Sequence, residues 1–235
     1  MNIFSHYIWE SESEKANPSS VVLQQIKVGK KTCILVCICD GKKEGEQGIR
    51  GAGYVTESLV EWFHHRCIPK LCRESGFSVF GRETENLWSK IQGELEKEIR
   101  GAMTRAAQNR KLTLHLCGML IWEEQFCYFV KGDTKGYLFN RRFNKKQCRD
   151  LQLLLFGKER GEDLQMISGE LQKGVSILFS TARYCEHISK EEMLEVLFVE
   201  KDTELRIRKK LKELWKEDML RGGERYVGAV FIRTE

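Results

Sequence analysis

The 235-residue chain has no apolar run approaching the roughly 20 residues that cross a bilayer, so no membrane-spanning helix is expected. Its start, Met1-Asn2-Ile3-Phe4-Ser5-His6, lacks the basic segment feeding an apolar one that marks a secretory signal. A disulfide framework is also missing. The nine cysteines are odd in number, and Cys33, Cys37, Cys39, Cys117 and Cys127 sit inside strand-like apolar runs, where a thiol packs as a small hydrophobe. A reducing cytoplasm is the expected location. His64, His65, Cys67 and Cys72 lie on one helical pattern, fit no finger spacing and are followed by no second Cys pair, so a zinc site is not expected. Charge of one sign is not in excess, at +5 net. The basic clusters Lys30-Lys31, Arg141-Arg142, Lys145-Lys146 and Arg206 to Lys212 are not interleaved with stacking aromatics, which argues against a nucleic-acid groove. Proline is scarce: Pro18 punctuates a polar loop over Ser11–Ser20, and Pro69 is expected to bend or divide a helix.

Against these absences, 41% apolar and 31% charged residues are enough for one substantial soluble core, read as a single domain over 1–235 whose first 20 residues are partly loop. The run Thr32-Cys33-Ile34-Leu35-Val36-Cys37-Ile38-Cys39 is apolar on both faces and predicts a central, covered strand. It ends in Asp40-Gly41, a carboxylate on a rigid strand next to a residue whose carbonyl can approach an ion closely. The glycine-rich stretch after it has no Gly-Lys-Ser/Thr ending and reads as a surface turn entering a helix. Apolar residues three or four apart then predict helices over about 54–74 and 83–109. From Lys111 the period becomes two, giving a hairpin around Glu123-Glu124-Gln125 and a further turn at Lys131 to Gly136. Lone His115 reads as a structural strand residue. A strand at Val175–Ser180, a helix opened by the Ser189/Glu192 capping box, a charged helix over about 203–220 and a strand over 225–232 complete the chain. Residues 141–173 give the weakest pattern.

This order of elements resembles the metal-dependent serine/threonine protein phosphatases of the PP2C (PPM) family, over about Val21 to Arg233. Asp40-Gly41 is similar to the family's Asp-Gly after a buried strand. Gly45 to Gly53 resembles its glycine loop, Phe129 to Leu138 its Gly-Asp-Ser-Arg turn, and Gly174 to Ala182 the strand that normally ends in Ser-Asp-Gly. The resemblance implies an α+β fold, a four-layer α/β/β/α sandwich of two antiparallel sheets flanked by helices. It also implies two divalent ions, magnesium or manganese, that bind through several carboxylates and activate water against a phosphomonoester.

Transferred onto this chain, most of those positions are degenerate. Glu14 stands where the resemblance places a phosphate-gripping arginine, and Pro18-Ser19 where it places an acidic pair. Thr181 and Ala182 replace an Asp-Gly, and Glu224 or Arg225 falls at the last metal aspartate. Asp40, with the Gly41 carbonyl, is the surviving metal position, with Glu224 as a further donor. Gly132 and Asp133 belong to a structural turn. One assured carboxylate cannot neutralise two divalent ions, and an acidic Glu14 repels phosphate. The expected function is therefore a catalytically silent pseudophosphatase without a bound metal, a signalling module for a protein or phosphoprotein partner. The alternatives are a divergent phosphatase that recruits Glu44, Glu46, Glu186 or Glu224, and a structural domain with no retained site. Trp62, Phe63, Trp88, Trp122 and Trp215 are candidates for an exposed docking patch.

Overall fold

Strand β3 (Lys31–Asp40) is buried along its last eight residues because it is covered on both faces. Alternation along it sends Cys33, Leu35, Cys37 and Cys39 to a layer of helices and Ile34, Val36 and Ile38 to a second sheet. The computed structural model describes residues 3–12, 17–41, 45–75, 82–108, 112–142, 145–157, 161–184, 186–197 and 204–234. Its elements are β1 (Ile3–Ser11), β2 (Ser19–Val28), β3, α1 (Gly45–Trp62), a π-helical turn (Phe63–Cys67), α2 (Ile68–Ser75), α3 (Arg82–Ala107), β4 (His115–Trp122), β5 (Gln125–Lys131), β6 (Lys135–Arg142), β7 (Lys145–Asp150), α4 (Leu151–Phe156), β8 (Gln165–Glu170), β9 (Ser176–Ser180), α5 (Lys190–Leu197), α6 (Glu204–Leu220) and β10 (Tyr226–Thr234).

The strands form two five-stranded antiparallel sheets, in the orders β2-β3-β4-β5-β8 and β1-β10-β9-β6-β7. Three apolar layers hold the sandwich. Ile38, Met119, Tyr128, Phe179 and Val230 pack between the sheets; Val55, Leu59, Ile91 and Leu95 bring α1 and α3 onto the outer face of the first. Met193, Leu211 and Trp215 bring α5 and α6 onto the outer face of the second. The expected four layers are therefore present. Among the described residues no helix is long and apolar enough to cross a membrane.

Several local expectations need correction. The glycine-rich stretch is the first half of α1 and not a surface turn. Packing overrides glycine's poor helix propensity there, since Gly51 lies against Leu112 and Leu114. Pro69 follows the π-helical turn, whose Ile68 N–H reaches back to the Phe63 carbonyl, and helical backbone runs on through Ile68 into α2, so the helix is not divided at the proline. The N-terminal strand β1 was not anticipated. Within 141–173, β7 pairs with β6 in one sheet while β8 pairs with β5 in the other, so this segment crosses between the layers. The five aromatic candidates for an exposed patch are buried, none more than 7% exposed.

Candidate functional site

The inter-sheet parity of β3 carries through to Asp40, which lies between the sheets and is only 2% exposed. Across the ladder it faces Ser19 of β2 and His115 of β4. From the other sheet comes Tyr226, the first residue of β10, which shares a face with Gly228 and Val230 and hydrogen-bonds Asp40. Burial pushes the Tyr226 phenol well above its ordinary range, and the charges of Asp40 and Glu224 add to the effect. Burial likewise raises the Cys39 thiol, with Asp40 contributing second.

Ser19 and Thr181 both lie close to Gly228 of β10. A Cβ built on Gly228 would meet Ser19 Oγ at 2.9 Å and Thr181 Cγ2 at 3.4 Å, so glycine is what lets the two hydroxyl residues close together. Thr181 is buried, and its N–H donates to the Gly228 carbonyl at 2.9 Å. The Ser19 hydroxyl donates to Asn17 Oδ1 at 2.7 Å, while Asn17 Nδ2 donates to the carbonyls of Glu10 (3.0 Å) and Val227 (2.9 Å). Asn17 thus clamps the chain before β2 onto the second sheet. Gly41 follows Asp40, and its N–H donates to the Pro18 carbonyl at 3.1 Å.

Glu224 is held by Arg183, whose Nη1 donates to Oε1 at 3.0 Å; the Glu224 carbonyl accepts from the Trp215 indole at 3.0 Å. The Arg183 guanidinium also lies 3.9 Å from Glu186. Arg225 is exposed, and its carbonyl accepts from the Glu12 N–H at 2.8 Å. Ala182 is half-buried in the turn after β9. Glu46 pairs with Arg50 at 2.7 Å on the exposed face of α1. Glu14 and Glu44 lie outside the described residues. Among the described residues no group of three or more His, Cys, Asp or Glu side chains is placed to hold a metal ion.

Gly132 and Asp133 make the turn between β5 and β6. Gly132 has φ +73°, and a Cβ there would sit 2.2 Å from His115 Nδ1, so both backbone and space require glycine. The Asp133 N–H donates to His115 Nδ1 at 2.8 Å, which fixes the ring as an acceptor inside the turn. Sequence reasoning did not single out Tyr226, Arg183 or Asn17. The signal for Tyr226 was strand parity, since counting back in twos from Val230 brings it to the face that Asp40 shares.

Two antiparallel sheets face to face with helices outside both define the PP2C-like fold of serine/threonine phosphatases, and this chain has it. Among solved structures it is similar to the serine/threonine phosphatase Stp1 from Staphylococcus aureus, with a TM-score of 0.68 and 13% identity over 100% of this chain and 96% of that one. It is also similar to the Mycobacterium tuberculosis serine/threonine phosphatase PstP/Ppp, with a TM-score of 0.65 and 16% identity over 99% of each chain. The catalytic domain of PstP in complex with 2 manganese ions gives a TM-score of 0.61 at the same 16% identity, again over 99% of each chain. No family model and no curated protein matches the sequence.

Proposed function

We propose that this PP2C-like domain is a catalytically silent pseudophosphatase that serves as a regulatory module and binds a protein or phosphoprotein partner. The observation that carries the reading is the donor set around Asp40. Its described neighbours are the neutral hydroxyls of Ser19 and Tyr226 and the His115 ring, whose Nδ1 is taken by the Asp133 N–H, while Glu224 is held by the Arg183 guanidinium. Magnesium and manganese are hard ions that need several charged oxygens, and neutral hydroxyls leave their charge uncompensated. A two-ion centre does not fit this set, so no hydrolytic step is built on one.

The test is a calorimetric titration with magnesium and manganese, run beside an aryl-phosphate assay of wild type and Asp40→Ala. No micromolar heat and no metal-dependent turnover are expected. Metal-dependent turnover that Asp40→Ala removes would overturn the proposal.

One observation favours a second reading, a divergent metal-dependent phosphatase. Tyr226 feels both Asp40 and Glu224, so two carboxylates share one neighbourhood. That reading requires Arg183 to release Glu224, and Arg183→Ala would then create manganese-dependent turnover.

A further inference from the structure

Among the described strands β2 is the outermost of its sheet and pairs with β3 alone. Residues of an antiparallel strand alternate in aiming both backbone groups at one neighbour or the other. The Pro18 carbonyl turns inward to Gly41, whereas the Ser19 carbonyl turns outward and accepts from the Trp9 indole at 2.9 Å. Val21, Leu23 and Gln25 therefore present their N–H and C=O groups outward as well. No described residue bonds those groups.

A groove of about 520 Å³ runs along this edge, with Tyr7 of β1 as one wall and Glu57, Val60 and Glu61 of α1 as the other. Two side-chain bridges from β1 reach β2 on either side of this stretch, Trp9 to Ser19 and Ser5 Oγ to Gln25 Oε1 at 3.3 Å. Between them no described residue hydrogen-bonds the edge's outward backbone groups, and Tyr7 is 54% exposed. From Val21 to Gln25 the strand advances roughly 13 Å, room for a partner strand of about five residues.

An unpaired edge of this kind is satisfied along its length by one type of ligand, another extended backbone. The walls then set its side chains. Glu57 and Glu61 lie one turn apart and are exposed, so they attract lysine or arginine, while Val60 and Tyr7 accept an apolar residue between them. A second copy of this chain docked edge to edge would bring its own Glu57 and Glu61 against the same acidic wall. We propose that β2 captures an extended basic segment of a partner protein as an added strand. This deepens the reading of the domain as a binding module, yet it uses a surface apart from the Asp40 rim and stands if hydrolysis is found.

The probe is the labelled peptide acetyl-Thr-Lys-Val-Arg-Thr-Lys-Ser-amide, titrated by fluorescence anisotropy with amide hydrogen exchange in parallel. Saturable binding is expected, with slower exchange at Val21, Leu23 and Gln25. The same peptide N-methylated at alternate amides keeps its charge and loses ladder donors, and should bind at least about tenfold more weakly. Glu57→Lys with Glu61→Lys, both on the exposed face of α1, should weaken the unmodified peptide by about tenfold. Asp40→Ala should bind it as wild type does, while its aryl-phosphate assay reports separately on catalysis. Equal binding of the N-methylated peptide would show charge attraction alone and overturn the proposal. So would an absence of saturable binding, or self-association of the protein that protects the same three amides.

Discussion

Substituting Gly41 by alanine separates two reasons for a glycine at this position, packing and ion binding. The built Cβ falls 2.3 Å from the Gly48 carbonyl oxygen, 2.4 Å from its carbon and 2.6 Å from its Cα. All three are backbone atoms, so no rotamer relieves the clash. Ordinary contact begins at 3.4 Å, and the first turns of α1 must therefore retreat by about 1 Å. That retreat loosens Ala52, Val55 and Leu59, which are fully buried against β3 and α3. Overpacking of this kind costs about 1–3 kcal/mol. In a chain of this length each kcal/mol moves the melting temperature by about 2–4 °C, so Gly41→Ala should melt roughly 2–12 °C lower. The assay is thermal unfolding by circular dichroism in EDTA. Gly53→Ala is the control, because its Cβ meets nothing within 4 Å and alanine favours the helix by up to about 1 kcal/mol. If Gly41→Ala melts with wild type in EDTA and differs only when manganese is added, the packing argument is refuted and the glycine serves an ion.

Two pH effects follow from the same geometry. The Tyr226 phenol is raised by burial first and by Asp40 and Glu224 next, so the unfolded chain loses this proton before the folded one. Stability should fall as pH climbs above the ordinary tyrosine value of about 10. Asp40→Asn should move the phenol's ultraviolet titration downward, and an unmoved titration would show that the Asp40 charge does not reach it. At the acid end, Glu192 is held at about 2, chiefly by Arg221 and then by Ser189. Its contribution is present above the ordinary glutamate value and is lost as pH falls from about 4 to about 2, so Glu192→Gln should flatten that limb of an acid-unfolding curve. The Ser189 hydroxyl accepts from the Glu192 N–H at 3.1 Å while Glu192 Oε2 accepts from the Ser189 N–H at 2.7 Å. Removing the cap with Ser189→Ala should cost about 1 kcal/mol in urea unfolding.

The elements read most directly from the chain were those whose own pattern matches their burial. β3 is apolar on both faces and buried on both; β4 and β5 are likewise buried almost throughout, and their hairpin turns where Glu123 takes φ 58°. The capping box opens α5 as its spacing indicated. The misses share a cause, which is that neighbours distant in sequence decide them. β8 has no fully buried residue and is a strand because β5 offers a ladder. β1 exposes Phe4, Tyr7 and Trp9, so its edge position hides the usual alternation. At the site, Asp40, Ser19 and Thr181 could each be named from the sequence alone. The Asp40–Tyr226 contact and the Arg183–Glu224 pair depend on which strand lies opposite which, and no local spacing encodes that.

The pairing of β1 with β10 has a mechanical consequence. Ile3 faces Thr234 and Ser11 faces Tyr226, so the first and last described strands lie side by side over their whole length. Tension applied between residues 3 and 234 loads that ladder at one end and opens its bonds in sequence, like a zipper, at low force. A host polypeptide that carried this domain as an insert could enter and leave it within about 5 Å, the spacing of two paired Cα atoms, with little distortion of its own backbone.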